Sequence, residues 1–477
     1  MHTGKTAFST GMVAAIAAAL VTVLFIVAGC SGSKSTLVST MSVSPVMVPV
    51  SITDAPGDQV VAASLTLDSV VLTDTKGTTT SILAAPLTFE AAHLDAVQEP
   101  LFTPAIPVDT YSSVALTYSN AQVAYIDPTT KQLVLVTATL ANTSQVFTFP
   151  TPLNANNAVT SLLIDYLVAD SVAISGSTVT VTPQFHVAPA PIAAQPTNGT
   201  DGLQCGIRGK VSALGSNQFT LTNAEGVSLV IDVSTSTQYQ GISGFSALAV
   251  GALVEVDAQS ESNGNLLALR VEEQVPPNAT AELLVGPVIA TTGSPVTAFT
   301  EIVRQEIGPP PVATPVAKDN ITVTGSTQFL LPGRFENLQA GGPPFTPVFN
   351  AFTLFAGQVV AVDTNGVTGN EATAVSVTLA PQTVSGTITG GVAPACIPCW
   401  AEFTLALPSD SWLATITGQS TVTVYVPPTG MQTLPGAPAS VSSVARFNGF
   451  LFDNNGTLTL VAAVEGPAPG TPIGPAM

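Results

Sequence analysis

Apolar and polar residues alternate at period two along almost the whole chain, and sustained helical periodicity is nearly absent. Such alternation sends one side of each segment into a core and the other into solvent, so it specifies half-buried strands. Val48 to Ile52, Ala63 to Leu72, Ser113 to Tyr118, Leu133 to Leu140 and Thr178 to Pro183 all read this way. The helical exceptions are an apolar run near the start and a turn near Ala91 to Ala96.

Beyond a Pro- and Ala-rich stretch, Val187 to Pro196, the alternation itself repeats. One unit runs through Gly209-Lys210-Val211, Phe219-Thr220-Leu221, Thr235 to Tyr239 and Val250 to Val256, and closes at Leu266 to Glu272. A second echoes it in order through Gly286-Pro287-Val288, Thr324 to Phe329, Ala356 to Val362 and Ala372 to Leu379. A third, more worn, has Gly386-Thr387-Ile388, Phe403-Thr404-Leu405, Phe447 to Phe452 and Thr457 to Glu465. Self-similarity of this kind means an array of like modules. Each unit is long enough for a barrel or sandwich of five or six strands, on the order of 70 to 100 residues.

The apolar run, Met12 to Val27, ends in Val27-Ala28-Gly29-Cys30 behind a weakly basic start at Lys5. A short apolar segment followed by small residues is read as a secretory signal. Here Cys30 is expected to become the lipidated first residue of a bacterial lipoprotein. The polar residues Ser31 to Thr36 suit a tether. The resulting division is a signal peptide and its helix at 1–29, a tether at 30–46, an N-terminal β-sandwich at 47–186 and a linker at 187–204. Barrel modules follow at 205–274, 281–381 with a Pro-rich insertion, and 383–466, before a tail at 467–477.

These residues resemble two families. The repeat, with its Gly-x-Val, Phe-Thr-Leu, Thr-x-Tyr/Phe and Val-Gly-x-x-Val-x-Val elements, is similar to the domain of unknown function numbered 5666. That resemblance implies small OB-like β-barrels in exported bacterial proteins. The segment opening Ile52-Thr53-Asp54-Ala55-Pro56, continuing through Ile106 to Tyr111 and closing with Ile164-Asp165-Tyr166, resembles the domain of unknown function numbered 4382. Neither resemblance implies a catalytic residue or a cofactor.

Charge excludes one class of partner. The chain has 11 Lys and Arg against 30 Asp and Glu, a formal charge of -19, and the basic residues are scattered. A nucleic-acid backbone needs clustered cations, so no nucleic acid is expected.

Chemistry is sparse. His93 and His186 lack the spacing of metal ligands, and no nucleophile elbow, P-loop or dinucleotide fingerprint follows residue 30. Asp54, Asp58, Asp68 and Asp165 are the candidates for a hydrolase pair, but Asp54 to Asp58 reads more simply as a turn. Ser262 to Asn265, Asp363 to Gly366 and Asp453 to Gly456 offer oxygen ligands for calcium, yet Asn-Gly is first a hairpin signal. Cys396-Ile397-Pro398-Cys399 is expected to form a disulfide in an exported protein, leaving Cys205 as a free, buried thiol. Trp400 and Trp412 are the candidates for stacking on a sugar.

The expectation is therefore an all-β, lipid-anchored protein of the cell envelope, meeting the outer membrane through its anchor, with no enzymatic activity, cofactor or metal. It would bind an envelope polysaccharide or protein, or serve structurally. The alternatives are a hydrolase using N-terminal carboxylates, and a self-assembling surface-layer or fibre component.

Overall fold

The computed structural model describes residues 44–466 other than 55–56, 95–97, 156–159, 193–201, 310–315, 339–342, 393–399, 429–431 and 434–440. The period-two segments are strands throughout. In the N-terminal domain Val60–Asp74 pairs antiparallel with Thr110–Ile126 at the centre of one sheet. A second sheet runs Phe185–Pro191, Thr160–Tyr166, Val50–Asp54 and Glu99–Phe102. Leu65, Leu67, Val70 and Tyr118 of the first sheet meet Ile52, Ile164 and Tyr166 of the second in one core. Period two explains the pairing, because alternate side chains leave a strand on the same face.

The three repeats are three barrels of one topology. The first comprises Leu203–Leu214, Gln218–Asn223, Ser228–Asp232, Leu253–Ser260 and Leu266–Val275. The second comprises Glu282–Thr292, Ala298–Val303, Ala317–Thr322, Val359–Thr364 and Glu371–Leu379. The third comprises Gln382–Val392, Ala401–Ala406, Thr421–Val426, Val444–Asn454 and Thr457–Gly466. In each, the first strand pairs with the second and fourth, and the fifth closes onto the third in parallel. That order is the five-stranded Greek-key barrel of OB-like folds.

The glycine that opens each repeat now has a physical reason. A Cβ on Gly209 would lie 2.5 Å from the Thr222 carbonyl oxygen, and one on Gly386 equally 2.5 Å from that of Ala406. Gly286 is pressed still harder against Ile302. A side chain at any of them would push the first two strands apart.

The Asn-Gly tip of the third barrel is a two-residue hairpin turn, whereas Asn365-Gly366 lies in a longer connection from Thr364 to Glu371. Asn454 pairs with Thr457, and between them Asn455 and Gly456 have φ of 54° and 86°. Two consecutive positive φ values make the turn that matches strand twist, and Asn-Gly adopts it at low cost.

The barrels do not stand apart like beads. Phe450 and Phe452 of the third barrel enter the core of the second, where Phe450 meets Phe335 edge-on at 5.3 Å. Leu253 and Val275 of the first pack with Leu283, Val285 and Ile307 of the second. Val61, Ala62 and Ala124, on the outer face of the N-terminal sheet, join the core of the third. One short helix, Trp412–Thr417, seals that contact. Ser411 caps its start by accepting from the Ala414 amide, and Gly418 ends it at φ 71°.

Candidate functional site

Cys30, Cys396 and Cys399 lie outside the described residues. Cys205 is a free cysteine, and burial pushes its thiol pKa up to about 12. Trp412 is 7 % exposed, and its amide donates to the Asp58 carbonyl at 2.8 Å. It is a core residue, so its ring does not offer an open stacking surface. Trp400 is half-buried against the core shared by the second and third barrels.

Asp54 and Asp165 are both fully buried. Asp54 stands in register with Tyr166, and Asp165 with Thr53. Neighbours one residue apart leave a strand on opposite faces, so the two carboxyls do not converge as a glycosidase pair must. Asp54 instead accepts from the Val168 amide at 3.1 Å. His186 is half-buried, and burial holds its pKa below the usual range.

What composition could not show is where the arginines go. All five, Arg208, Arg270, Arg304, Arg334 and Arg446, turn towards the junctions between domains or into the interior. Arg270 lies at the centre of one network. It donates to Glu255 at 2.6 Å, to Asp257 at 2.8 Å, and to Glu272. Arg208 reaches Glu255 at 2.8 Å, and Arg334 comes across from the second barrel to Asp257 at 2.6 Å and Glu255 at 3.1 Å. Three guanidiniums thus meet three carboxylates, which keeps a buried site neutral. Burial alone would raise the Glu255 pKa, but Arg208, Arg334 and Arg270 hold it well below the usual carboxylate range. Arg304 crosses to the N-terminal domain and donates to the carbonyl oxygens of Val61 at 2.8 Å and Ala92 at 3.3 Å.

Beside this junction is a small, partly enclosed cavity of about 40 Å³, lined by His93, Glu99, Cys205, Arg208, Arg304 and Gln382 among others. His93 Nδ1 lies 3.1 Å from Glu90, and Nε2 lies 3.4 Å from Glu99. Glu225, on the turn between the second and third strands of the first barrel, completes a group with His93 and Glu99 whose ligand atoms all lie within 4.8 Å of one another. Burial would lower the His93 pKa, but Glu99 and Glu90 raise it to about 10. Burial and the charge of Glu99 push Glu225 up to about 7. Sequence reading missed this group because Glu225 belongs to another domain. The one local signal was Glu90-Ala91-Ala92-His93.

A second concavity is open and larger. A groove of about 680 Å³ on the second barrel is lined by Thr322, Thr324, Ser326, Asn365, Thr368 and Glu371, with further small residues along its floor. It offers hydroxyls and an amide, one carboxylate, and no aromatic ring or cation. The turn at Asn365 that borders it joins the fourth strand to the fifth, a loop that OB-like barrels use for ligands.

Fold and sites together define an all-β chain with an array of OB-like barrels. Residues 208–272 match the Domain of unknown function (DUF5666). No curated protein matches the chain. One similar solved structure, drosophila Unr CSD456, shares 10 % identity, with 54 % of this chain and 94 % of that chain covered and a TM-score of 0.12. A likeness at that score bears no weight on fold or function.

Proposed function

We propose that the chain is a non-catalytic cell-envelope protein, anchored by lipid at Cys30, whose four β-domains act as one rigid body that presents the groove of the second barrel to a neutral polysaccharide. The N-terminal resemblance to the domain of unknown function numbered 4382 and the Val27-to-Cys30 pattern support the exported, anchored location. The observation that carries the reading is the arginines' placement: Arg208, Arg270, Arg304 and Arg334 are bonded to acceptors at the domain junctions, and Arg446 is fully buried. It supports rigidity, because cross-domain ions that are paired and buried resist separation. It also leaves an acidic surface without guanidiniums to meet an anionic ligand, so the hydroxyl-lined groove favours a neutral, hydrogen-bonding partner.

The test is the melting temperature of residues 31–477 against a panel of neutral and anionic envelope polysaccharides. A ligand at about 100 times its dissociation constant adds roughly 2.7 kcal/mol to a folded state that alone binds it. A shift with a neutral glycan that is lost in Thr324→Val/Thr368→Val supports the groove. A shift only with anionic polymers, or none with any glycan, counts against it.

A further inference from the structure

His93, Glu99 and Glu225 do more than fill a gap between domains. We propose that they bind a divalent transition metal of the zinc class, which clamps the N-terminal domain to the turn at Glu225 in the first barrel. The donor set is one imidazole nitrogen and two carboxylate oxygens, within 4.8 Å of one another. An ion roughly 2.1 Å from each ligand atom holds tetrahedral neighbours about 3.4 Å apart. His93 Nε2 and the nearer Glu99 oxygen already stand 3.4 Å apart.

The shell behind the ligands is also built. Glu90 is 1 % exposed and accepts from the amides of Ala63 at 2.8 Å, Ala92 at 3.0 Å and His93 at 3.0 Å. A carboxylate held so firmly accepts a hydrogen bond from Nδ1–H of His93 at 3.1 Å and so leaves the Nε2 lone pair to face Glu99 and Glu225. Carboxylates play this role behind metal-bound histidines. Independently of that, Oε2 of Glu225 is buried with no hydrogen-bond partner among the described residues. A buried carboxylate oxygen is ordinarily satisfied, and a shared cation satisfies it.

The adjoining cavity, lined by His93 and Glu99, is about 40 Å³, room for a water as a fourth ligand. Calcium and magnesium fit less well, since they ask for six or more oxygens and rarely take imidazole. The competing arrangement is a proton on His93 in place of the metal, and the experiment separates the two.

The full chain would be purified, stripped with a chelator, and titrated with Co²⁺ and then Zn²⁺. The expected result is one Co²⁺ per chain with a visible ligand-field absorption, displaced by Zn²⁺, and a melting temperature that rises with Zn²⁺ and falls back with chelator. Glu225→Gln replaces an unpartnered oxygen by a group of the same shape. It should lose the absorption and at least about 10-fold of Zn²⁺ affinity while its metal-free melting temperature stays at or above that of the parent. Glu90→Gln, at a positioning residue, should weaken Zn²⁺ by about 10- to 100-fold. Absence of a one-per-chain Co²⁺ site in the parent overturns the proposal and leaves the proton in place. So does Glu225→Gln binding as the parent does, and, should that variant fail to fold, so does undiminished binding in Glu90→Gln.

Discussion

Arg334 of the second barrel donates to Asp257 of the first at 2.6 Å, an ion pair that, beside the apolar contact of Leu253 and Val275 with Leu283, helps tie two modules that share no strand pairing among the described residues. The Asp257 carboxylate also accepts from Arg270 at 2.8 Å and from the Gly206 amide at 2.9 Å. Removing a partner from a buried ion network leaves a carboxylate undercompensated, which is worse than never having built the pair. Arg334→Met is therefore expected to cost about 3 kcal/mol. Denaturant unfolding checks this, with Lys318→Met, at an exposed position, as a control that should fall within about 0.5 kcal/mol of the parent.

Glu301 gives a pH dependence of definite sign. It lies on the same strand face as Phe299 and Val303, which pack in the core of the second barrel, and it is fully buried with neither carboxyl oxygen hydrogen-bonded among the described residues. Burial, and then the charge of Asp319 on the neighbouring strand, raise its pKa well above 4.5. The folded state thus holds a proton that the unfolded chain gives up. Its contribution is fully present below the unfolded pKa and is lost as pH rises through the folded value. Glu301→Gln should match the parent melting temperature near pH 4 and exceed it by a margin that widens towards pH 8. A constant difference across that range would show that Glu301 does not titrate on folding.

The three repeat glycines should behave alike. Gly209→Ala, Gly286→Ala and Gly386→Ala each force a methyl group against the backbone of the second strand of their barrel. Overpacking typically costs about 1 to 3 kcal/mol, occasionally more. Gly286, the tightest, should be the worst of the three. Gly176→Ala has nothing within 4 Å, so its only strain is its φ of 59°, and it separates crowding from conformation. Melting temperatures of the four variants decide the order.

Cys205 should resist thiol reagents in the native state. Burial and the charge of Asp257 keep it protonated, and the thiolate is the reactive form. In a Cys396→Ser/Cys399→Ser background, disulfide-exchange reagents should label residue 205 slowly in buffer and rapidly in denaturant. Equal rates in the two conditions would mean that the junction around it opens readily.

Much of this protein was legible in the residues themselves. Period-two alternation determined an all-β fold, because the pleat needs no distant information to place alternate side chains on opposite faces. Recurrence of Gly-x-Val, Phe-Thr-Leu and the Asn-Gly tips determined an array of like barrels, and Asn455-Gly456 makes its turn for local steric reasons. Trp412 was harder, since the short capped helix that buries it interrupts an otherwise β pattern.

The charged residues were beyond sequence reading. Nothing local sends Arg334 to Asp257, or Glu225 to His93 and Glu99. Each meeting depends on how one domain seats on another, and so on the apolar faces around Phe450, Leu253 and Val61 that the modules bury against each other. Composition determined that cations are few. Only the tertiary structure decided that the arginines among them are drawn inward, because a buried carboxylate is tolerable only with a partner, and the partner comes from another part of the chain.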